Sequence, residues 1–239
     1  MARMGGKRHL KRLSSPGYWP IAKREYKWVT RPRPGPHPID EGFPLLLVVR
    51  DILKLATTAK EAKRIIFMKK IHVDGKPRYD HKFQVGLMDV IQIPEINKTY
   101  RVVPDPYKFL KLIEIPEDES HLKLVKIMKK FTVKGGRIQL TTHDGRNFLA
   151  NPGDELSKVK PGYTLLIEVP SQEVKDIFPP VEGATAVLIR GRRAGYLGII
   201  KSLGQYVLFS DYDNPEVTYR GTKENMIVVG REKPALTLR

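Results

Sequence analysis

The sequence predicts a multi-domain α+β protein. Its expected parts are a basic, extended N-terminal arm (1–42), a small α/β domain (43–97), a central β-rich domain (98–172) and a C-terminal β-barrel (173–239). Three observations carry this reading. Residues 1–40 hold ten Lys or Arg against two acidic residues, with prolines at alternate positions from Pro32 to Pro38. Helical spacing of apolar residues is confined to the stretch just after residue 43. Beyond residue 98 the chain reads as short apolar runs separated by Gly- and Asn-rich turn signals.

The whole-chain figures narrow the class. The 239 residues are 41% hydrophobic, ordinary for chains that bury a core, and carry a net charge of +17. A surface this basic repels itself unless an anion neutralises it, which makes polyphosphate the expected partner. Cysteine is absent, so disulfides, thiolate zinc sites and a cysteine nucleophile are excluded, consistent with a reducing compartment. No apolar run approaches the ~20 residues of a membrane span, and MARMGGKRHLKRL lacks the apolar core of a secretory signal. A cytoplasmic protein is expected.

The arm reads as extended, because proline fixes φ and cannot donate to a ladder. Arg3, Lys7, Arg8, Lys11, Arg12, Lys23, Arg24, Lys27, Arg31 and Arg33 supply its charge. Both tryptophans, Trp19 and Trp28, lie here beside Tyr18 and Tyr26, which is unusual for a disordered tail. Basic residues interleaved with aromatics describe an arm that orders on RNA, its aromatics stacking on bases or docking the tail. Trp19 is assigned to RNA. Deleting 1–40 is then expected to lower RNA affinity far more than fold stability.

In FPLLLVVRDILKLA, positions 45, 48, 49, 52, 53 and 56 repeat with helical spacing, and Pro44 suits a first turn. Thr58 and Glu61 match a capping box, so a second helix starts near Ala59. At ~100° per residue, Lys60, Lys63 and Arg64 cluster on one side and Ala62, Ile65 and Ile66 on the other. A short strand at IHV, an Asp74-Gly75 turn and a strand at DVIQI follow. This order resembles the αL RNA-binding domain. The resemblance implies that the second helix and following loop lie on folded RNA, which implicates Lys60, Lys63, Arg64, Lys69, Lys70, Lys76 and Arg78.

From 98 to about 170, YRVV, FLKLIEI, KFTVKGGRIQL, NFLA and YTLLIEV read as strands, and HLKLVKIMKKF as a strand or a short joining helix. A half-open barrel or sandwich is expected. Lys129, Lys130, Lys134 and Arg137 cluster locally, which a solvated turn explains as well as a binding site does.

In AVLIRGRRAGYLGII, glycines at 191, 195 and 198 permit tight bends at strand ends and put Arg190, Arg192 and Arg193 on a rim. With the runs at 206–209, VTYR and NMIVV this gives five short strands. The spacing resembles the KOW motif, which implies an SH3-like barrel whose basic loop touches nucleic acid or protein. Together with GGKRHLKRL, SPGYWPI and PRPGPHP, the order of parts resembles the archaeal and eukaryotic e-type family of small-subunit ribosomal protein four. That resemblance spans the chain. It implies a structural constituent of the small ribosomal subunit, with small-subunit rRNA and neighbouring ribosomal proteins as partners.

No enzymatic signature emerges. Phosphate-loop and dinucleotide glycine patterns are missing, and Gly6-Lys7 and Gly75-Lys76 lack the loop. The six histidines are scattered, and Asp211, Asp213 and Asn214 lack the rest of a calcium loop. No catalytic residue, metal, cofactor, small-molecule substrate or membrane partner is expected. The alternatives weighed are a free-standing RNA-binding regulator or ribosome-associated factor, a transcription-elongation accessory and, last, a membrane-surface role.

Overall fold

The computed structural model describes residues 8–212, 214 and 216–238. The N-terminal segment is packed on the rest of the protein. Leu10–Lys11 (β1) pairs antiparallel with Trp28–Val29 (β2). Between them the chain loops inward, and the Trp19 side chain is 2% exposed. Its indole N–H donates to the Gly42 carbonyl at 3.0 Å, and the Tyr18 hydroxyl donates to the same oxygen. Leu10 and Ile21 join the main core. The Pro32–Pro38 stretch forms no helix or strand and bends at Pro34, Pro36 and His37 rather than running straight, and Arg33 donates its N–H to the carbonyl of Lys82. The premise of a separable arm is therefore corrected for the described residues: large apolar side chains gain more by burial than by solvation.

Gly42–Pro44 (β3) leads into a helical segment, Leu45–Leu47 (α1), which widens over Val48–Ile52. Leu53 donates to Val48 five residues back and Leu55 to Val49 six back, so the expected helix to 56 ends early. Lys54, at φ 54°, terminates it. Leu45 to Val49 are all buried, which makes this a core helix rather than an amphipathic one. Ala59–Phe67 (α2) starts as predicted. Thr58 Oγ1 accepts from the Glu61 N–H at 3.2 Å, but the Glu61 carboxylate reaches Thr57 N instead of Thr58.

His72–Val73 (β4) and Lys76–Pro77 (β5) form a hairpin whose two turn residues, Asp74 and Gly75, both have positive φ. That is the type I′ geometry a DG pair selects. Gln84–Gly86 (β6) pairs with β3, while Val90–Ile93 (β7), Lys98–Asp105 (β8) and Phe109–Glu114 (β9) complete a sheet of order β5-β4-β7-β8-β9. The expected boundary at 97/98 lies within this sheet. It falls inside a hairpin whose turn is closed by Asn97 in the left-handed region, φ 48°. The β8 and β9 strands belong to the first sheet.

The central sheet, order β12-β11-β10-β13-β14, comprises Leu122–Thr132 (β10), Ile138–Thr142 (β11), Asn147–Ala150 (β12), Thr164–Glu168 (β13) and Val174–Phe178 (β14). A short helix, Glu155–Lys158 (α3), precedes β13. The stretch HLKLVKIMKKF is a strand, which settles its two readings. Residues 123–127 are buried on both faces: Leu124 joins the main core, while Val125 and Ile127 join a second core with Leu140, Phe148 and Leu165.

The last sheet, order β18-β17-β16-β15-β19, comprises Thr185–Leu188 (β15), Leu197–Leu203 (β16), Val207–Asp211 (β17), Thr218–Gly221 (β18) and Met226–Gly230 (β19). Five short antiparallel strands were expected here. Two glycines of this region have definite roles. Gly195, at φ 83°, abuts the β8–β9 turn, where a Cβ would stand 2.8 Å from the Pro104 carbonyl oxygen. A Cβ at Gly198 would stand 2.6 Å from the Tyr219 hydroxyl. Among the described residues no helix is long and apolar enough to cross a membrane.

Candidate nucleic-acid interface

Helix α2 displays Lys60, Lys63 and Arg64 to solvent while burying Ala62 and Ile66, as its periodicity predicts. Phe67, one turn further on the same face, is 74% exposed. An apolar ring of that size beside three cations offers a surface on which a base can stack. The sequence reading passed over Phe67, although its spacing from Lys63 and Arg64 carries the signal. Lys69 and Lys76 are exposed on the neighbouring turn and strand, and Tyr79 is 65% exposed. Lys70 is partly exposed and pairs with Glu95 at 2.7 Å. Arg78 is half-buried with its guanidinium 4.1 Å from the Phe83 ring centroid, and burial pulls its pKa down.

The N-terminal segment splits the predicted residues. Arg8, Lys11, Lys23, Arg24 and Lys27 are exposed; Arg31 is half-buried; Arg33 is exposed and pairs with Asp80 at 2.9 Å. Arg3 and Lys7 lie outside the described residues. Two assignments are corrected. Arg12 is buried, and both Nε and Nη2 donate to the Ile21 carbonyl, at 3.0 and 2.6 Å. Its guanidinium is thus spent on holding the loop. Trp19 is buried with its indole N–H satisfied, leaving no face for a base. Trp28 fits the stacking role better: it is 53% exposed, with Lys27 Nζ 5.5 Å from its ring centroid.

On the last sheet, Arg190, Arg192 and Arg193 are exposed around Gly191, as predicted. Arg190 pairs with Glu41 of the N-terminal segment. The Arg193 guanidinium sits 5.0 Å from the Tyr219 ring centroid. The structure adds Arg220, which lies beside these arginines and which the sequence reading missed. It is far away along the chain and becomes a neighbour only when β17–β18 folds back.

A buried ionic cluster joins the three parts without offering chemistry. Lys123 Nζ lies 2.6 Å from Asp89, 2.7 Å from Asp74 and 3.0 Å from Asp144. Arg146 bridges Asp74 and Asp144, and His37 Nε2 meets Asp89 at 3.0 Å. Burial alone would raise Asp89, but His37 and Lys123 hold it far below the usual carboxylate range. Burial alone would lower Lys123, but Asp74, Asp89 and Asp144 hold its pKa well up. His143 accepts the Lys126 N–H at Nδ1 (3.1 Å) and faces the Leu87 carbonyl with Nε2 (3.2 Å). This pairing assigns the neutral Nε2–H tautomer. Every charge in the cluster is compensated, so it reads as a structural seam. Among the described residues no group of His, Asp and Glu is arranged to hold a metal ion.

The class of protein follows from this fold and its relatives. Residues 96–174 match the family described as "Ribosomal family S4e", and residues 4–40 match the "RS4NT (NUC023) domain". The chain belongs to the S4e family of ribosomal proteins. It is 63% identical over 239 residues, covering 100% of both chains, to the small ribosomal subunit protein eS4 of Korarchaeum cryptofilum. To that of Aeropyrum pernix it is 44% identical over 247 residues, covering 100% of this chain and 98% of the relative. The crystal structure of the 30S ribosomal protein S4e from Thermoplasma acidophilum superposes with a TM-score of 0.68 at 31% identity, covering 84% of this chain and 100% of that one.

Proposed function

We propose that this protein is a structural constituent of the small ribosomal subunit that grips folded small-subunit rRNA and performs no bond-making. It acts in the cytoplasm, on the ribosome, beside neighbouring ribosomal proteins. The observation that carries the reading is the α2 face, where Lys60, Lys63 and Arg64 surround an exposed Phe67 while the opposite face is buried. Membership of a ribosomal protein family supports it. We read residues 43–97 as an αL-type domain and the last sheet as a KOW-type, SH3-like barrel. Lys69, Lys76, Arg8, Lys11, Lys23, Arg24, Lys27 with Trp28, and Arg192 extend the cationic surface.

Each cation that meets a phosphate releases condensed counterion, so affinity falls with salt by about 0.7–0.9 log units per log unit of salt per contact. Specificity comes from shape and unpaired bases, because the A-form major groove admits side chains poorly. The test is filter binding of full-length protein to a small-subunit rRNA transcript across a salt series. Replacing Lys60, Lys63 and Arg64 together by Gln is expected to weaken binding and to flatten the salt slope by about two to three. Unchanged affinity and slope would sink the proposal for this face.

A further inference from the structure

We propose that the arginine-lined cavity on the last sheet holds one unpaired nucleotide of the bound RNA, its phosphate among the arginines and its base against Tyr206. This rests on the RNA-binding reading above and names what one part of that surface takes.

The cavity measures about 450 Å³, within the ~300–1,000 Å³ of sites that enclose a small molecule. Arg190, Arg192, Arg193 and Arg220 line it together with Tyr206 and Asn225. They come from three places: the turn after β15, the start of β17 and the segment from the end of β18 to β19. No carboxylate lines it. Arg190 has Glu41 as a partner and Arg193 packs over Tyr219, but Arg192 and Arg220 have no ion pair among the described residues. Four guanidiniums around one concavity repel one another unless an anion sits between them. Their planar, forked donors suit phosphate in particular.

The concave shape argues against a duplex. Stacked base pairs present their phosphates along a ridge, whereas a concavity of this size takes one group at a time. Gly221 packs tightly against its neighbours at the cavity wall: a Cβ there would stand 2.8 Å from the Phe209 ring and 2.9 Å from Leu188. Gly191, at φ 95°, lets the turn carry arginines on both its sides. Tyr206 is 53% exposed at the rim and offers a ring face to any base. The Asn225 side chain adds an amide that can donate and accept, and the Asn225 backbone carbonyl accepts the Ile189 N–H at 2.8 Å, holding the residue beside the turn. A phosphate fork, a stacking ring and an amide make up the recognition set used for splayed-out nucleotides.

The test compares two RNA hairpins with the same stem, one fully paired and one with a single bulged uridine, binding to full-length protein. The bulged hairpin should bind about tenfold more tightly, the scale of one base–aromatic stack. Arg220→Gln and Tyr206→Ala should each erase that preference, so that the bulged and the paired hairpin bind alike. Tyr206→Phe should retain the preference. Both residues are exposed, so a thermal melt will show whether the variants fold. Equal binding of the two hairpins, or a preference that survives both variants, overturns the inference and leaves the α2 face standing. A glutamate-rich peptide that binds the wild type and loses binding in Arg220→Gln, without any bulge preference, overturns it in favour of a protein partner. Failure of the whole rRNA transcript to bind overturns the underlying reading.

Discussion

Lys123 Nζ stands 2.6 Å from a carboxylate oxygen of Asp89, although 34 residues separate the two along the chain. Lys123 belongs to the central sheet and Asp89 to the loop between β6 and β7 of the first. The same carboxylate meets His37 from the N-terminal segment. One buried carboxylate therefore ties together three stretches that sequence reasoning assigned to three separate parts.

Replacing Lys123 by Met tests that seam. The change removes the charge and leaves Asp74, Asp89 and Asp144 facing one another with Arg146 and His37 as partial compensation. Breaking a buried ion pair from one side costs about 3–5 kcal/mol. The expected result is an unfolding free energy lowered by that amount, read as a lower denaturant midpoint with the slope unchanged. A loss under 1 kcal/mol would show that the cluster is open to water.

The two tryptophans should behave oppositely. Trp19→Ala removes a buried ring and its hydrogen bond to Gly42, a loss of about 3–5 kcal/mol. Trp28→Ala touches an exposed ring, so stability should stay within about 0.5 kcal/mol while rRNA affinity falls. Melting and filter binding on both variants separate the roles. By the same logic, deleting 1–40 should now cost stability as well as affinity.

Gly86→Ala should loosen the N-terminal segment. A Cβ there would stand 2.3 Å from the His37 ring, which has nowhere to go without breaking its contact with Asp89. Overpacking of this kind costs about 1–3 kcal/mol. Trypsin should then cut after Lys27, the last basic residue of the segment not followed by proline, faster than in the wild type. An unchanged cleavage rate would mean that His37 is not what holds the segment.

Acid should weaken the seam through His143. Burial pushes this imidazole down to about 4, with Asp144 opposing and His37 and Lys123 reinforcing the shift. A depressed histidine is neutral in the fold and takes up a proton more readily once unfolded. Stability is therefore complete above about pH 6.5 and is lost as pH falls towards 4. The ring is partly exposed, so the loss should be about 2 kcal/mol rather than the full shift. Below that window protonation of Asp89 and Asp144 adds a further loss. Denaturant midpoints between pH 4 and 7.5 should fall for the wild type and stay flatter for His143→Gln.

What the sequence determined by itself is local. Helix α2, its capping residues and its two faces follow from spacing within one short stretch. The Asp74-Gly75 turn follows from a dipeptide that tolerates positive φ at both positions. The five short strands of the last sheet are legible as apolar runs between turn residues, and net charge alone names a polyanion as partner. Tertiary structure decided the rest. Arg12 and Trp19 carry the same side chains as the exposed Arg8 and Trp28, and only the packing of the loop around Gly42 buries one pair and not the other. Strand β10 hid its alternation because both of its faces are covered by different cores. Arg220 joined Arg190, Arg192 and Arg193 only after a strand folded back. Burial and long-range ion pairing depend on which surfaces meet, and that information is spread over the whole chain rather than written in any single window of it.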